Sequence, residues 1–79
     1  MRYIATFYTH LSALMTDRAL KNAGIPSQPA PGPRALSSSC GTCVRYEAEE
    51  PCLALMDEDT EAVYREDGEG SYSLIRQND

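Results

Sequence analysis

Two cysteines separated by two residues, Cys40 and Cys43, are the side chains of this sequence best suited to chemistry. A Cys-x-x-Cys pair can be a redox dithiol or half of a zinc site, and it can also arise by coincidence. Structural zinc needs four ligands, whereas the chain adds only one more cysteine and one histidine, without a second Cys-x-x-Cys or a His-x-His arrangement. We therefore predict neither a metal site nor a cofactor.

Cys40 lies in a segment whose composition favours the thiolate form. Small neighbours such as Gly41 let backbone N–H groups approach the sulfur, and nearby cations stabilise its negative charge. The side chains expected to stabilise an anion here are Arg34, Ser37, Ser38, Ser39 and Arg45. Because a thiolate is the nucleophile of sulfur transfer, Cys40 is the predicted reactive residue, with Gly41 and Cys43 beside it.

Two interpretations of Cys43 stay open. Residues 44–46, Val-Arg-Tyr, favour a strand, in which Cys43 would be a buried and inert cysteine. Side chains 40 and 43 would then point to opposite faces, so a disulfide between them would require a turn at Gly41 and Thr42. Alternatively, the pair forms a reversible dithiol. For Cys52, the expectation is an inert cysteine buried on a helix.

The elements that must position this site begin with a strand and a helix. Residues 3–8 are rich in β-branched and aromatic side chains, and Thr9 is a good N-cap for a helix over residues 10–23. The apolar side chains that recur on one face of this helix are Leu11, Leu14, Met15, Ala19 and Ala23. Asp17 and Lys21 are spaced for an exposed ion pair.

A proline-rich stretch follows this helix. Four prolines within residues 26–39 exclude a helix there and allow at most a short edge strand near 26–30. Since the stretch lies between two ordered elements of a small domain, we expect it to be a functional loop. Strands are predicted over residues 42–47 and 71–75.

A second helix is predicted from about residue 51 to the glycines at 68 and 70. Apolar or β-branched residues recur there at helical spacing, at Leu53, Met56, Thr60 and Val63. The alternative is a strand at 52–56 followed by a short helix at 59–66. The acidic cluster within residues 57–61 is expected to form a solvated face.

This order of elements, β-α-β-β-α-β with a weak second strand, predicts the fold class. An α+β, ferredoxin-like two-layer sandwich has this order of elements, and we expect it to form one domain over residues 1–79. Two helices would then cover one face of the sheet and leave the other bare. A bare sheet face in so small a domain suggests a partner or a homodimer formed through that face.

The charge of the chain is unevenly distributed. Residues 1–46 hold five cations and one acid, whereas residues 47–79 hold eleven acids and two arginines, so +4 and −9 give the net charge of −5. This balance argues against nucleic acid and anionic lipid as partners. With no apolar run of about 20 residues and no basic-then-apolar leader, we expect a cytoplasmic protein that does not insert into a membrane.

Several segments together carry a resemblance to a known family. They are Tyr3-Ile4-Ala5-Thr6-Phe7, Thr9-His10, Ala23-Gly24-Ile25-Pro26, Pro31-x-Pro33-Arg34-x-x-Ser37-x-x-Cys40-Gly41 and a final strand containing tyrosine. Over nearly its whole length the chain resembles the selenium/sulfur carrier-like family of small domains. The resemblance implies that Cys40 carries sulfur or selenium, and that the partners are a cysteine desulfurase or selenium-donor protein and an acceptor protein. Gly32 and Cys43 depart from the family pattern, and Cys43 could be a resolving thiol.

Three functions follow, in order of preference. The first is a carrier, rather than a stand-alone enzyme, that accepts sulfur or selenium on Cys40 and passes it to a partner. The second is a dithiol-disulfide oxidoreductase that uses Cys40 and Cys43, and the third is a non-catalytic protein-interaction module. His10, at the start of a helix, is expected to be a capping or surface residue, with an auxiliary general-base role beside Cys40 as the weaker alternative.

Overall fold

The computed structural model describes residues 1–36, 38–68 and 70–78, and in them the chain forms one α-helix and five strands. In chain order these are β1 (Arg2–Phe7), α1 (His10–Asn22), β2 (Ser27–Pro31), β3 (Thr42–Glu47), β4 (Thr60–Gly68) and β5 (Ser71–Gln77). The strands make one antiparallel sheet with the order β2-β3-β1-β4-β5. Helix α1 packs on the β1, β2 and β3 part of this sheet.

The first half of the chain follows its sequence signals closely. Thr9 is extended and its Oγ1 accepts a hydrogen bond from the Ser12 amide at 3.1 Å, which confirms the predicted N-cap. Gly24 has φ +78°, the left-handed conformation that a helix-terminating glycine supplies. The predicted edge strand is confirmed as β2, whose prolines lie at the edge of the sheet where a missing N–H costs least.

The predicted second helix is wrong, and so is its alternative. Residues 53–55 form a single 3-10 turn, and residues 60–68 form β4, which lies beside the central strand β1. Asp57 breaks the helical pattern, because its backbone carbonyl accepts from the Thr60 amide at 3.0 Å and its carboxylate accepts from the Asp59 amide at 3.2 Å. Such local bonds compete with a helix and turn the chain into β4.

The fold class is therefore confirmed only in part. The protein is α+β, but the described residues contain one helix and a five-stranded sheet, so the ferredoxin-like βαββαβ order is not found. Cys52 also lies elsewhere than expected. It is half-buried just before the 3-10 turn, in the left-handed conformation with φ +56°, and not on a helix.

The two faces of the sheet bury different side chains. The face beneath α1 holds an apolar cluster to which Tyr3, Phe7 and Val44 belong, and Tyr3 stacks on Tyr46 with ring centroids 5.4 Å apart. On the other face Thr6 lies opposite Cys43 in the β1–β3 register, and both are fully buried. No helix among the described residues is long and apolar enough to cross a membrane.

Helix α1 packs on the sheet with a face that carries three polar residues. Its buried residues are Ser12, Ala13, Thr16, Asp17 and Leu20. The predicted ion pair of Asp17 and Lys21 is present at 2.8 Å, but Asp17 is only 7% exposed, so the expectation of an exposed pair is wrong for the carboxylate. The reason is that Asp17 also accepts a hydrogen bond from Ser27 Oγ of β2 at 2.7 Å.

Candidate functional site

Cys40 lies in a tight turn directly before β3. The Gly41 amide donates to the Ser38 carbonyl at 3.1 Å and closes the turn, and the Gly41 carbonyl accepts from the Gly32 amide at 3.1 Å. Gly41 has φ +75°, a conformation that side chains with a Cβ rarely adopt. The glycine after Cys40 is therefore required by the backbone that presents the cysteine.

The Cys40 thiol is half-buried and packs against the apolar cluster under α1. Its Sγ donates to the Thr42 carbonyl at 3.5 Å and lies 4.0 Å from Ser38 Oγ. Ser38 Oγ in turn lies 3.2 Å from the Thr42 carbonyl and 3.5 Å from the Phe7 carbonyl. Because a hydroxyl can rotate, Ser38 can donate to these carbonyls while Cys40 is a thiol and to the sulfur once it is an anion.

Cys43 is a different kind of thiol. It is fully buried in β3, and burial raises its pKa, an effect that a hydrogen bond with Ser38 and the positive charge of Arg45 partly oppose. Cys40 and Cys43 are thus both neighbours of Ser38, although both are free thiols. Burial makes Cys43 a poor nucleophile compared with a thiol that solvent can reach.

Gly32 fits closely against this buried sulfur. A Cβ placed on Gly32 would lie 3.3 Å from Cys43 Sγ and 3.7 Å from Ser38 Cβ. The first distance is shorter than ordinary van der Waals contact, so Gly32 lets the proline-rich loop approach β3 closely. The loop, the turn and the start of β3 therefore form one packed unit around Ser38.

Glu61 of β4 anchors the turn from the other side. Its carboxylate accepts from the Ser39 amide at 3.1 Å and from Ser39 Oγ at 2.9 Å. Sequence reasoning assigned Glu61 to a solvated acidic face, and that interpretation is wrong for it and for Asp57, which accepts from Ser12 Oγ at 2.7 Å. No local signal identifies Glu61, since it meets Ser39 only because β4 pairs with β1.

Among the described residues, no hydrogen bond joins either predicted arginine to the Cys40 thiol. Arg34 is exposed, and no hydrogen bond or ion pair joins it to another described residue. Arg45 forms an ion pair with Glu66 of β4, with 3.5 Å between the nitrogen and the carboxylate oxygen. Ser37 lies outside the described residues. An anion-stabilising role for these three side chains stays a prediction.

His10 is beside the cysteine turn. Its Nδ1 lies 3.1 Å from Thr42 Oγ1, which places the exposed imidazole next to the residue whose carbonyl accepts from Cys40. The end of β1 and the start of α1 thus meet the turn, as the weaker alternative for His10 requires. The auxiliary role itself stays a prediction.

Apart from this turn, the described residues offer little that could bind a cofactor. No three His, Cys, Asp or Glu side chains among them come together as metal ligands. An open cavity of about 280 Å³ lies elsewhere, between Arg2, Gln28, Arg45 and Glu66, and none of the cysteines lines it. What the turn can do chemically is present a half-buried thiol beside a hydroxyl donor.

Comparison with known proteins gives one match. The family model described as "Putative Se/S carrier protein-like" matches residues 2–65, which include β1, α1, the cysteine turn and β3. The chain has no significant match among curated proteins or among solved structures. A family model that matches this much of the chain, including the turn that presents Cys40, shows that the chain belongs to the Se/S carrier protein-like family.

Proposed function

We propose that the protein accepts sulfur or selenium on Cys40 and passes it to an acceptor protein. The observation that carries this proposal is the Cys40 thiol itself, half-buried in a glycine-ended turn with Ser38 Oγ 4.0 Å from its sulfur. Membership of the Se/S carrier protein-like family supports the same chemistry. The proposed donor is a cysteine desulfurase or another protein that presents a persulfide or its selenium equivalent.

The loading step is a thiol–persulfide exchange. The Cys40 thiolate attacks the terminal sulfur of the donor's persulfide, a new S–S bond forms on Cys40, and the donor's S–S bond breaks. The donor cysteine leaves as a thiolate, so one anion replaces another and no external oxidant or reductant is consumed. The unloading step is the same exchange with the acceptor's thiolate as the nucleophile.

The residues around the sulfur have distinct proposed roles. The Ser38 hydroxyl donates to the anionic sulfur, and Gly41 leaves room for the donor's cysteine to approach. His10, whose Nδ1 lies 3.1 Å from Thr42 Oγ1, is the proposed auxiliary base for the Cys40 proton. Three free thiols suit a reducing compartment, so we propose a cytoplasmic location.

The test is an intact-mass measurement after incubation with a cysteine desulfurase and cysteine. We expect the wild-type protein to gain the mass of one sulfur atom, which dithiothreitol removes. The Cys40→Ser variant should gain nothing, and the matched Cys52→Ser variant should load like the wild type. A wild-type protein that gains no mass, or a Cys40→Ser variant that loads equally, would contradict the proposal.

A second function has one observation in its favour. Cys40 and Cys43 share Ser38 as a neighbour, and Cys40 is close enough to contribute to the raised pKa of Cys43. A dithiol oxidoreductase would lose two hydrogens reversibly on oxidation, with a defined redox potential. Because burial raises the pKa of Cys43, we prefer the single-thiol carrier. A Cys43→Ser variant that loads and unloads sulfur at the full rate would eliminate the dithiol function.

A further inference from the structure

Helix α1 exposes its most hydrophobic face. Leu11 is 66% exposed, Leu14 is 45% exposed and Met15 is 52% exposed, and together they form a continuous row at i, i+3 and i+4 spacing. The opposite face, which packs on the sheet, carries two hydroxyls and a carboxylate. An amphipathic surface helix normally has the reverse orientation, with its apolar row toward the core.

Polar bonds hold the helix in this orientation. Ser12 Oγ donates to the Asp57 carboxylate at 2.7 Å, and the Asp57 amide donates to Thr16 Oγ1 at 3.1 Å. On the other flank, Ser27 Oγ donates to Asp17 at 2.7 Å. Rotating α1 to bury Leu11 and Leu14 would break all three bonds, so the apolar row stays available to something outside the chain. Contiguous apolar patches on soluble proteins mark interaction sites.

The charges beside this row have opposite sign at its two ends. Arg18 is exposed on the same face, one turn after Leu14. The N-terminal end lies beside the segment that carries the exposed side chains of Glu58 and Asp59, because the Tyr8 amide donates to the Asp59 carbonyl at 3.0 Å. The surface is therefore basic at one end, apolar in the middle and acidic at the other.

A surface with that arrangement is complementary to itself. When two copies of α1 pack antiparallel about a two-fold axis near Leu14, the apolar rows face each other and each Arg18 approaches the acidic segment of the other copy. We propose that this surface, the α1 row of Leu11, Leu14, Met15 and Arg18, is the interface of a two-fold symmetric dimer of this chain. Cys40 is not part of this row, because it lies in the turn that contacts His10 through Thr42.

The proposal is tested by sedimentation velocity of the full chain over a range of concentrations. We expect a concentration-dependent dimer for the wild type and a monomer for Leu14→Asp, whose far-UV circular dichroism should stay unchanged because residue 14 is on the surface. The matched control is Leu74→Asp on the face of the sheet away from α1, where Leu74 is 53% exposed. This control should leave the dimer intact.

Charge reversal tests the orientation of the two copies. Arg18→Glu should weaken dimerisation roughly tenfold. Adding Glu58→Lys and Asp59→Lys to this variant should restore the affinity, because residue 18 and residues 58 and 59 of the other copy then again have opposite charges. A wild-type protein that is monomeric at every concentration would overturn the proposal, as would dissociation by Leu74→Asp and not by Leu14→Asp. Sulfur loading of the Leu14→Asp monomer is measured separately. This measurement shows whether the carrier proposal holds, whatever the outcome for the dimer.

Discussion

The cysteine turn depends on contacts between a few small residues. Ser38 lies between the reachable thiol of Cys40 and the buried thiol of Cys43, and Gly32 packs against the latter. Each of these positions has little room for a larger side chain or is held by a specific hydrogen bond. Because Cys40 is half-buried and Cys43 is fully buried, the reactivity of the two thiols should differ, although only two residues separate them.

We expect the cysteines to differ in alkylation rate. Burial raises the pKa of Cys43, so a smaller fraction of it is thiolate at neutral pH, and reagent cannot reach it in the native fold. Iodoacetamide at neutral pH should modify Cys40 at least roughly tenfold faster than Cys43. Peptide mass spectrometry of timed samples measures both rates. The rates should converge in denaturant, and equal native rates would show that Cys43 is not protected.

The substitution Gly32→Ala tests the close contact with Cys43. The added Cβ would lie 3.3 Å from Cys43 Sγ, and because Cys43 is fully buried it has little space to move. We expect the free energy of unfolding to fall by about 1 kcal/mol, as for overpacked sites. Urea denaturation of Gly32→Ala, Cys43→Ala and the double variant measures the coupling. In the Cys43→Ala background, Gly32→Ala should leave the free energy of unfolding unchanged. An equal loss in both backgrounds would show that the contact with Cys43 Sγ is not its cause.

At the scale of elements, polar contacts orient α1 more than its apolar periodicity does. Asp17 lies against β2 and accepts from both Lys21 and Ser27. Ser12 and Thr16 meet Asp57 on the opposite flank. The helix therefore depends on buried hydrogen bonds, whose loss leaves unpaired groups behind.

Replacing Asp17 should cost more than breaking a surface ion pair. The Asp17→Ala variant removes a charged acceptor and leaves Ser27 Oγ only the backbone carbonyl of residue 17 at 3.3 Å, so we expect the free energy of unfolding to fall by about 1–3 kcal/mol. Alanine favours helices, so helix propensity cannot explain a loss. The control Lys21→Ala removes only the exposed partner and should cost about 0.5 kcal/mol or less. Similar costs in thermal or urea denaturation would indicate that the Ser27 bond contributes little.

The β4–β5 hairpin should be sensitive to acid. Hydrogen bonds from Ser73 and then from Arg65 lower the pKa of Asp67. Since the folded pKa lies below the unfolded one, the stabilisation is present above about pH 4 and is lost as the pH falls through the folded pKa. The melting temperatures of wild type and Asp67→Asn should therefore differ at neutral pH and converge in acid. A difference in melting temperature that does not change with pH would show that the ionised Asp67 carboxylate is not its cause.

At the scale of the whole molecule, β5 completes the sheet, although the match to the family model ends before this strand begins. The match covers residues 2–65 and stops within β4, whereas β5 spans Ser71–Gln77 and pairs along most of β4. Without β5, strand β4 would become an edge with unpaired backbone groups. A domain of this size has only about 3–5 kcal/mol of stability from its core, so the loss of one strand is a large change.

We expect a chain truncated after residue 70 to lose its cooperative thermal transition. The reason is that β4 also supplies Glu61 to the cysteine turn, so a frayed β4 would loosen the turn as well. Circular dichroism melting of the truncated and full chains measures this directly. A truncated chain that melts at the same temperature would show that β5 is dispensable for the fold.

Local signals predicted much of the first half of this protein. Thr9 and Gly24 delimit α1 through their own backbone preferences, and β3 follows from β-prone residues directly after the cysteines. The small serine and glycine residues around Cys40 likewise predicted a turn, and Gly41 supplies its left-handed backbone. In each case the residues that determine the feature lie within a few positions of it in the sequence.

Other features were decided only by tertiary structure. Helical periodicity runs from Leu53 to Val63, but residues 60–68 form β4, because pairing with β1 satisfies their backbone groups and Asp57 turns the chain before them. The outward orientation of Leu14 results from bonds that Ser27 and Asp57 make across the fold. The contact of Glu61 with Ser39 spans 22 residues. Interactions between distant segments have no local signature, so the local sequence determined the turn that carries Cys40, and the folded sheet determined which groups surround its thiol.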